Sequence, residues 1–308
     1  MAEELILETK GLTKVYNGIP AVNEVNMHIH RGDIYGFVGE NGAGKTTIIR
    51  MVAGLAKPTK GSFVLFGAES NSKNLAKAKS KIGGIVESVS LNKGMTAMEN
   101  LKLQCAICGV NRSDEELHGL LEKVGLGDVP PKKKANQFSL GMRQRLGIAS
   151  TLISNPEFIL LDEPMNGLDP QGFIDVRELI LKLNQEGVTF LVSSHILSEL
   201  DKVCTRVGFI SRGHLLEELS MEDLKAKSRR KILVSAKNNQ DLRVLLEKTL
   251  SLQDIQNEGN GLAIYDEIDI NKVMRLLVEK GVEVSSINVV EETIEDYYAK
   301  LMVRGLNQ

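Results

Sequence analysis

The stretch DIYGFVGENGAGKTT, residues 33–47, decides the fold of this chain. A short apolar run, residues 34–38, leads into a glycine-rich loop of the form GxxxxGKT, and a run with helical character follows at residues 46–55. A strand, a glycine loop and a helix in that order are the context that a phosphate-binding loop requires. The order therefore predicts an α/β fold that binds a nucleotide.

The residues of this loop offer three kinds of phosphate contact. Its glycines let backbone N–H groups turn inward and approach phosphate oxygens closely, and the helix N-terminus adds the positive end of its dipole. Lys45 supplies a positive charge for the β- and γ-phosphates, and the Thr46 hydroxyl can ligate Mg²⁺. The residues predicted to bind the nucleotide here are Gly39, Glu40, Asn41, Gly42, Ala43, Gly44, Lys45, Thr46 and Thr47.

Two carboxylates follow a second apolar run. Residues 158–161 read FILL, which is typical of a central parallel strand covered on both faces. Asp162 and Glu163 come next, at the end of the strand where doubly wound sheets place their sites. Asp162 can hold Mg²⁺ through water, and Glu163 can polarise an attacking water. His195 follows a further buried strand, residues 188–192, and can reach a γ-phosphate.

Two further positions are ambiguous when each is taken alone. Tyr16 precedes the loop strand and can stack on adenine, although a tyrosine near a turn is more often half-buried packing. Ser139 stands where a helix N-cap would, so its hydroxyl and the following N–H groups can hold an anion. A plain capped helix is the alternative interpretation of Ser139.

Composition limits the functions that fit this chain. Its 308 residues allow one large domain and a small one, and its net charge of −2 argues against a broad nucleic-acid surface. Three cysteines do not make a disulfide framework, and a reducing cytosol is the expected compartment. Cys105 and Cys108 are interpreted as core residues rather than as a redox or zinc pair. We find no run of about 18 apolar residues, so we expect another chain to provide any membrane span.

The order of these motifs resembles the ATP-binding subunits of ABC transporters over residues 1 to about 220. The resemblance rests on the whole set, because each member alone is a modest signal. The members in chain order are the adenine-stacking aromatic Tyr16, the Walker A loop 39–47, Glu87 at the Q-loop position, the signature 139–144, Walker B 160–163, the D-loop 167–169 and the switch histidine His195.

Two positions depart from the usual pattern of that family. The glutamine of the Q-loop is Glu87 here, so the resemblance implies that a carboxylate makes the Mg²⁺ and water contact. The usual LSGGQ signature is FSLGM, which keeps Ser139 and Gly141 but loses one glycine and the glutamine. Both departures resemble the sequences of the ABC subfamily that exports bacitracin- and lantibiotic-type peptide antibiotics. That similarity favours peptide-antibiotic export as the function.

The resemblance implies a fold and a division into domains. The expected fold is a P-loop NTPase core with a β-rich N-terminal part and a helical subdomain, followed by a small C-terminal α/β domain. The ATP-binding domain covers residues 1–220, with the helical subdomain at about 88–150, which would dock on a membrane partner. The C-terminal domain covers residues 229–308 and is expected to act in dimerisation or regulation.

The resemblance also implies a mechanism, cofactors and partners. Two ATP-binding subunits, identical or different, face each other head to tail around ATP and Mg²⁺. Ser139 and Gly141 of one subunit touch the γ-phosphate held by the other, and Glu163 acts as the base in hydrolysis. The expected partners are integral membrane permease chains and no nucleic acid. The expected location is cytoplasmic, at the inner face of the cell membrane.

Two alternatives remain open at this point. A soluble mechanochemical ATPase acting on ribosomes or DNA is disfavoured, because the interval from Lys45 to Asp162 contains no heptad run and the chain contains one cassette. A nucleotide sensor that binds without turnover is disfavoured by Glu163, because degenerate sites usually lose that base.

Overall fold

The computed structural model of the protein describes residues 4–227, 230–291 and 294–305. The chain divides into two compact units, Met1–Met221 and Glu222–Gln308. The strands are β1 (Leu5–Tyr16), β2 (Ile19–Val25), β3 (His28–His30), β4 (Ile34–Val38), β5 (Lys60–Leu65), β6 (Ala68–Glu69), β7 (Ile82–Ile85), β8 (Phe158–Asp162), β9 (Thr189–Ser194), β10 (Arg206–Ser211), β11 (His214–Ser220), β12 (Arg230–Ala236), β13 (Ile255–Glu258), β14 (Gly261–Ile264) and β15 (Val284–Glu291).

Helices alternate with these strands over much of the chain. They are α1 (Lys45–Ala53), α2 (Leu75–Lys79), α3 (Ala97–Cys108), α4 (Asp114–Lys123), α5 (Leu140–Leu152), α6 (Pro170–Gln185), α7 (Leu197–Leu200), α8 (Met221–Lys227), α9 (Asn239–Leu250), α10 (Ile270–Glu279) and α11 (Ile294–Gly305). None of the helices in these described ranges is long and apolar enough to cross a membrane.

A six-stranded sheet in the order β11-β10-β4-β9-β8-β7 forms the centre of the first unit. Strands β7, β8, β9, β4 and β10 run parallel to their neighbours, and β11 pairs antiparallel with β10. Every residue of β4, β8 and β9 is buried, which confirms the prediction of a central buried strand at 158–161. Because the three strands are parallel, their carboxyl ends lie at one edge of the sheet.

The outermost parallel strand differs from its prediction. The sequence predicts a buried strand over residues 82–87, but β7 ends at Ile85, which is its one buried residue. The physical reason is its position, because β7 lies at the edge of the sheet and pairs only with β8 among the described strands. The sequence also predicts a helix over the polar stretch 70–81, of which α2 covers only Leu75–Lys79.

The N-terminal part of this unit is a second, antiparallel sheet. Its strand order is β2-β1-β5-β6, and β3 pairs with β1. The sequence predicts a single alternating strand over residues 21–30, but the structure has two strands, β2 and β3, separated at residues 26–27 and both paired with β1. Apolar residues of this sheet share one core with Ile48 and Val52 of α1 and with Phe158 and Leu160 of β8.

Capping residues set the starts of helices α3, α4 and α5, which lie between β7 and β8 in the chain. The three-residue spacing of Thr96 and Glu99 in the sequence predicts a capping box at the start of α3. The structure confirms it, since Thr96 Oγ1 accepts a hydrogen bond from the Glu99 N–H and the Glu99 carboxylate accepts one from the Thr96 N–H. In α3, Cys105 is buried as predicted, but Cys108 is exposed, so the core interpretation of Cys108 was wrong. No cluster of three metal-ligating side chains occurs in the described part of the chain.

The second unit is a four-stranded antiparallel sheet with helices. Strands and helices alternate as β12-α9-β13-β14-α10-β15, and the strand order is β13-β14-β12-β15, which is the ferredoxin-like arrangement. Leu242 and Leu246 of α9 and Val273 of α10 pack on the sheet. The sequence predicts the turn at residues 259–261, which the β13–β14 hairpin contains, but misses β13 itself, a mostly polar strand.

The stability of the second unit should depend strongly on its own hydrophobic core. Leu246 is fully buried there, so Leu246→Ala should lower the free energy of unfolding of this unit by about 2–5 kcal/mol. Hydrogen–deuterium exchange of peptides from β12 and β15 measures the change. Val278→Ala is the control, because Val278 is 80% exposed and its loss should change the free energy by less than about 0.5 kcal/mol. Equal exchange in both variants would contradict this account of the core.

Candidate nucleotide site

The glycine loop joins the end of β4 to the start of α1. Gly44 has a φ of 112°, and a Cβ atom there would lie 2.6 Å from the Ala21 carbonyl oxygen. At Gly39 a Cβ atom would lie 2.4 Å from the Ile210 carbonyl oxygen. Both positions therefore require glycine, because a side chain there would collide with the backbone of β2 or of β10.

Lys45 is the first residue of α1, and its ammonium group points into the loop. The side chain is 5% exposed, and Nζ donates hydrogen bonds to the carbonyl oxygens of Gly39 at 2.5 Å and of Glu40 at 3.2 Å. Nζ also lies 3.3 Å from Glu163 Oε1. A buried cation is costly unless it is paired, so these three oxygens account for its position. The same charge is available to phosphate oxygens.

Thr46 and Asp162 meet where α1 approaches the end of β8. Thr46 Oγ1 donates to Asp162 Oδ2 at 2.8 Å, and Asp162 is 5% exposed. The other carboxylate oxygen, Asp162 Oδ1, accepts a 2.7 Å hydrogen bond from the Ser193 hydroxyl. A hydroxyl and a carboxylate held together form an oxygen donor set of the kind that Mg²⁺ prefers.

Glu163 and His195 form a hydrogen-bonded pair beside this cluster. Glu163 Oε2 lies 2.8 Å from His195 Nδ1, and its other oxygen faces Lys45. The backbone of Glu163 has a φ of 49°, in the left-handed region that few residues other than glycine adopt. Such strained residues are concentrated at functional sites. The structure thus brings together five sequence-predicted residues at the loop, namely Lys45, Thr46, Asp162, Glu163 and His195.

Glu87 has a different partner. It has a φ of 65°, its side chain is 56% exposed, and its carboxylate forms an ion pair with Arg50 of α1. Arg50 lies one helical turn after Thr46, so Glu87 is held against the same helix that carries the predicted metal ligand. The sequence interpretation missed Arg50, although its i,i+4 spacing from Thr46 was visible.

The remaining predicted residues are Tyr16, Ser139 and Gly141. No hydrogen bond in the described ranges joins Ser139 or Gly141 to residues 39–47. Ser139 Oγ accepts from the Met142 N–H at 3.2 Å, which confirms the helix cap. Gly141 is buried against α6, where a Cβ atom would lie 3.2 Å from Gly172 Cα. Tyr16 is 41% exposed at the end of β1.

The geometry fits a nucleotide with Mg²⁺. The loop has the glycines and the buried cation that a triphosphate needs, and Thr46 and Asp162 supply adjacent oxygen ligands. Ser193 belongs to the same cluster and was missed by the sequence interpretation. Its signal was a hydroxyl directly after the apolar run from Phe190 to Val192 and two residues before His195.

Comparisons with known proteins agree with this site. A sequence model of the family described as ABC transporter matches residues 22–166. The bacitracin transport ATP-binding protein BcrA of Bacillus licheniformis is 41% identical over 97% of this chain and 98% of its own length. The Enterococcus faecalis protein of the same name is 37% identical over 99% of both chains. The lantibiotic transport ATP-binding protein SrtF of Streptococcus pyogenes is 43% identical over 69% of this chain and 90% of its own length.

Solved structures give the same result for the fold. The ATP-binding cassette MJ0796, in a dimeric post-hydrolysis state bound to ADP and Pi, has a TM-score of 0.62 and 29% identity over 70% of this chain and 98% of its own. The cassette MJ1267 in its ADP conformation has a TM-score of 0.64 over 72% of this chain and 95% of its own, at 23% identity. These likenesses confirm the predicted P-loop NTPase fold. The chain therefore belongs to the ATP-binding proteins of ABC transporters, which are ATPases.

Proposed function

We propose that this chain is the ATP-hydrolysing subunit of a transporter that exports a peptide antibiotic through separate membrane chains. The observation that carries the hydrolytic role is the position of Glu163, whose carboxylate lies between the loop lysine and His195. Support for the substrate class comes from the bacitracin transport relatives, which match nearly the whole length of this chain, including its second unit.

Each residue of the site has a separate role in ATP hydrolysis. Lys45 and the loop N–H groups bind the β- and γ-phosphates, and Tyr16 stacks on adenine. Thr46 and Asp162 would hold Mg²⁺, and the ion bound there would neutralise the charge that develops on the phosphate oxygens. Glu163 accepts the proton of the attacking water, and His195 orients the Glu163 carboxylate and faces the γ-phosphate. Phosphates entering the loop would replace the carbonyl oxygens and Glu163 as partners of Lys45.

The signature supplies the other half of the proposed site. Ser139 and Gly141 lie at the N-terminus of α5, where N–H groups and the helix dipole favour an anion. They make no hydrogen bond to their own loop in the described ranges, so we assign them to the γ-phosphate bound by a second ATP-binding subunit, identical or different. The dimeric state of MJ0796 supports this assignment.

The proposal includes a membrane partner and a location. The helical region at about residues 88–150 docks on a permease chain at the cytoplasmic face of the membrane. We assign residues 229–308 a role in dimerisation or regulation. Deleting them should weaken subunit association or lower antibiotic resistance, and no change in either would refute that role.

The ion pair between Arg50 and Glu87 should affect the Mg²⁺ concentration that ATPase activity requires. Arg50 holds the Glu87 carboxylate, so Arg50→Gln should release it toward the metal and lower the Mg²⁺ concentration for half-maximal ATPase activity. Glu87→Gln should raise that concentration. An exposed pair is worth up to about 1 kcal/mol, so each shift should be at most about fivefold. A Mg²⁺ titration measures both variants. If the half-maximal Mg²⁺ concentration moves in the same direction in both, or in neither, Glu87 is not part of the metal site.

Antibiotic susceptibility of the host tests the proposed function. The chromosomal copy is changed to Glu163→Gln, and inhibitory concentrations are measured for bacitracin, a panel of lantibiotics and an unrelated antibiotic that enters the cytoplasm. Susceptibility to at least one peptide antibiotic should increase, with no change for the unrelated compound. Unchanged susceptibility to every peptide antibiotic, with normal levels of the variant protein, would overturn the export proposal.

A further inference from the structure

Ser193 occupies an unusual position next to the proposed catalytic carboxylates. It is the fifth residue of β9 and is fully buried in a strand that is otherwise apolar from Phe190 to Val192. In the sheet it lies directly opposite Asp162 of β8. A buried hydroxyl is costly without hydrogen bonds, so its partners define its role.

Both partners of Ser193 belong to the proposed site. Its hydroxyl donates to Asp162 Oδ1 at 2.7 Å and accepts from the Glu163 N–H at 2.9 Å. The donated bond leaves Asp162 Oδ2 to the Thr46 hydroxyl. The accepted bond holds the backbone of Glu163 at its positive φ of 49°. One side chain therefore fixes the carboxylate of one residue and the main chain of the next.

We propose that Ser193 is a positioning residue that sets the geometry of Asp162 for the metal and of Glu163 for water activation. A backbone held at positive φ relaxes when its hydrogen bond is lost, and the side chain then points elsewhere. A displacement of about 1 Å at a reacting group can cost about 100-fold in rate. This role rests on the proposed functions of Asp162 and Glu163, and Ser193 itself touches neither nucleotide nor water in this account.

Ser193→Ala is the decisive variant. It should lower kcat by about 10- to 100-fold and raise the Mg²⁺ concentration needed for tight ATP binding. ATP affinity measured in EDTA should stay within about twofold, because the loop and Lys45 are untouched. Ser193→Thr keeps the hydroxyl and should recover most of kcat, and Ser193→Cys, which keeps the size but has a weaker hydrogen-bonding group, should fall between the two.

A matched control separates positioning from general stability. Thr189→Val removes another fully buried hydroxyl of β9, one that accepts the Gly32 N–H at 2.9 Å at the far end of the strand. Both variants should lower Tm, but only Ser193→Ala should change kcat and the Mg²⁺ dependence of binding. Equal changes in both variants, or a Ser193→Ala variant with the parental kcat and Mg²⁺ dependence, would overturn the inference.

Glu163→Gln, measured in parallel, separates a failure of the proposed hydrolytic role of Glu163 from a failure of the positioning role of Ser193. If Glu163→Gln keeps its activity, the proposed hydrolytic role fails whatever Ser193 does. If Glu163→Gln is inactive while Ser193→Ala is unchanged in both rate and Mg²⁺-linked binding, only the positioning role fails.

Discussion

Glu163→Gln should lower the ATPase kcat by about 10²–10⁴-fold, the range expected when a general base is removed. Glutamine keeps the size of the side chain but cannot accept the proton of the attacking water. The ion pair of Glu163 with Lys45 is lost in the same change, and the negative charge beside His195 is removed. ATP affinity should be unchanged or higher, because Lys45 no longer pairs with a carboxylate at position 163 and can bind the phosphates. Phosphate release at saturating Mg·ATP measures kcat, and an equilibrium titration measures affinity.

Glu186→Gln is the control for that prediction. Glu186 forms an ion pair with Lys123 at 2.7 Å, on the surface and outside the site. Its loss should change kcat by less than about twofold, since surface pairs contribute little. If Glu163→Gln keeps the parental rate, the base assignment is refuted and the nucleotide-sensor alternative gains support.

Lys45→Met should weaken ATP binding by about 10- to 100-fold. Hydrogen bonds to charged groups contribute about 1.5–3 kcal/mol, and 1.4 kcal/mol is a tenfold change in affinity. Methionine fills similar space without the charge, so the loop loses its one buried cation among the described residues. Binding isotherms for ATP and ADP with Mg²⁺ test this. The effect should be larger for ATP, because the charge is assigned to the β- and γ-phosphates.

Lys102→Met serves as the control for the lysine. Lys102 lies on α3 and pairs at the surface with Asp114 at 2.7 Å, so its removal should leave ATP affinity unchanged. An unaltered affinity in Lys45→Met would show that the ammonium group contributes nothing to phosphate binding. Thermal unfolding of both variants without nucleotide checks that neither change acts through stability.

The sequence predicted the parts of the site that local patterns encode. The glycine spacing of residues 39–47 specifies its own turn, and four apolar residues before Asp162 specify a central strand. The Thr96 and Ser139 caps were predicted because capping is decided within one helical turn. Parallel pairing of β4, β8 and β9 then explains why distant motifs meet at one edge of the sheet.

Features that depend on tertiary neighbours were missed. The pairing of Glu87 with Arg50 requires the end of β7 to lie beside α1, which no local pattern encodes. Ser193 gained its role from its register opposite Asp162, and a serine in a strand carries little signal alone. Strand β13 is polar and is stabilised by pairing with β14, so periodicity did not reveal it.

Capture of the tagged protein from detergent-solubilised membranes of its host tests the central claim most directly. The bound chains are identified by mass spectrometry, with the Glu163→Gln variant, which should hold ATP longer, beside the parent. We expect a multi-span membrane protein to be recovered with both proteins in stoichiometric amounts. Recovery of ribosomes or DNA-bound factors, with no membrane chain, would contradict the account and remove the docking role from residues 88–150.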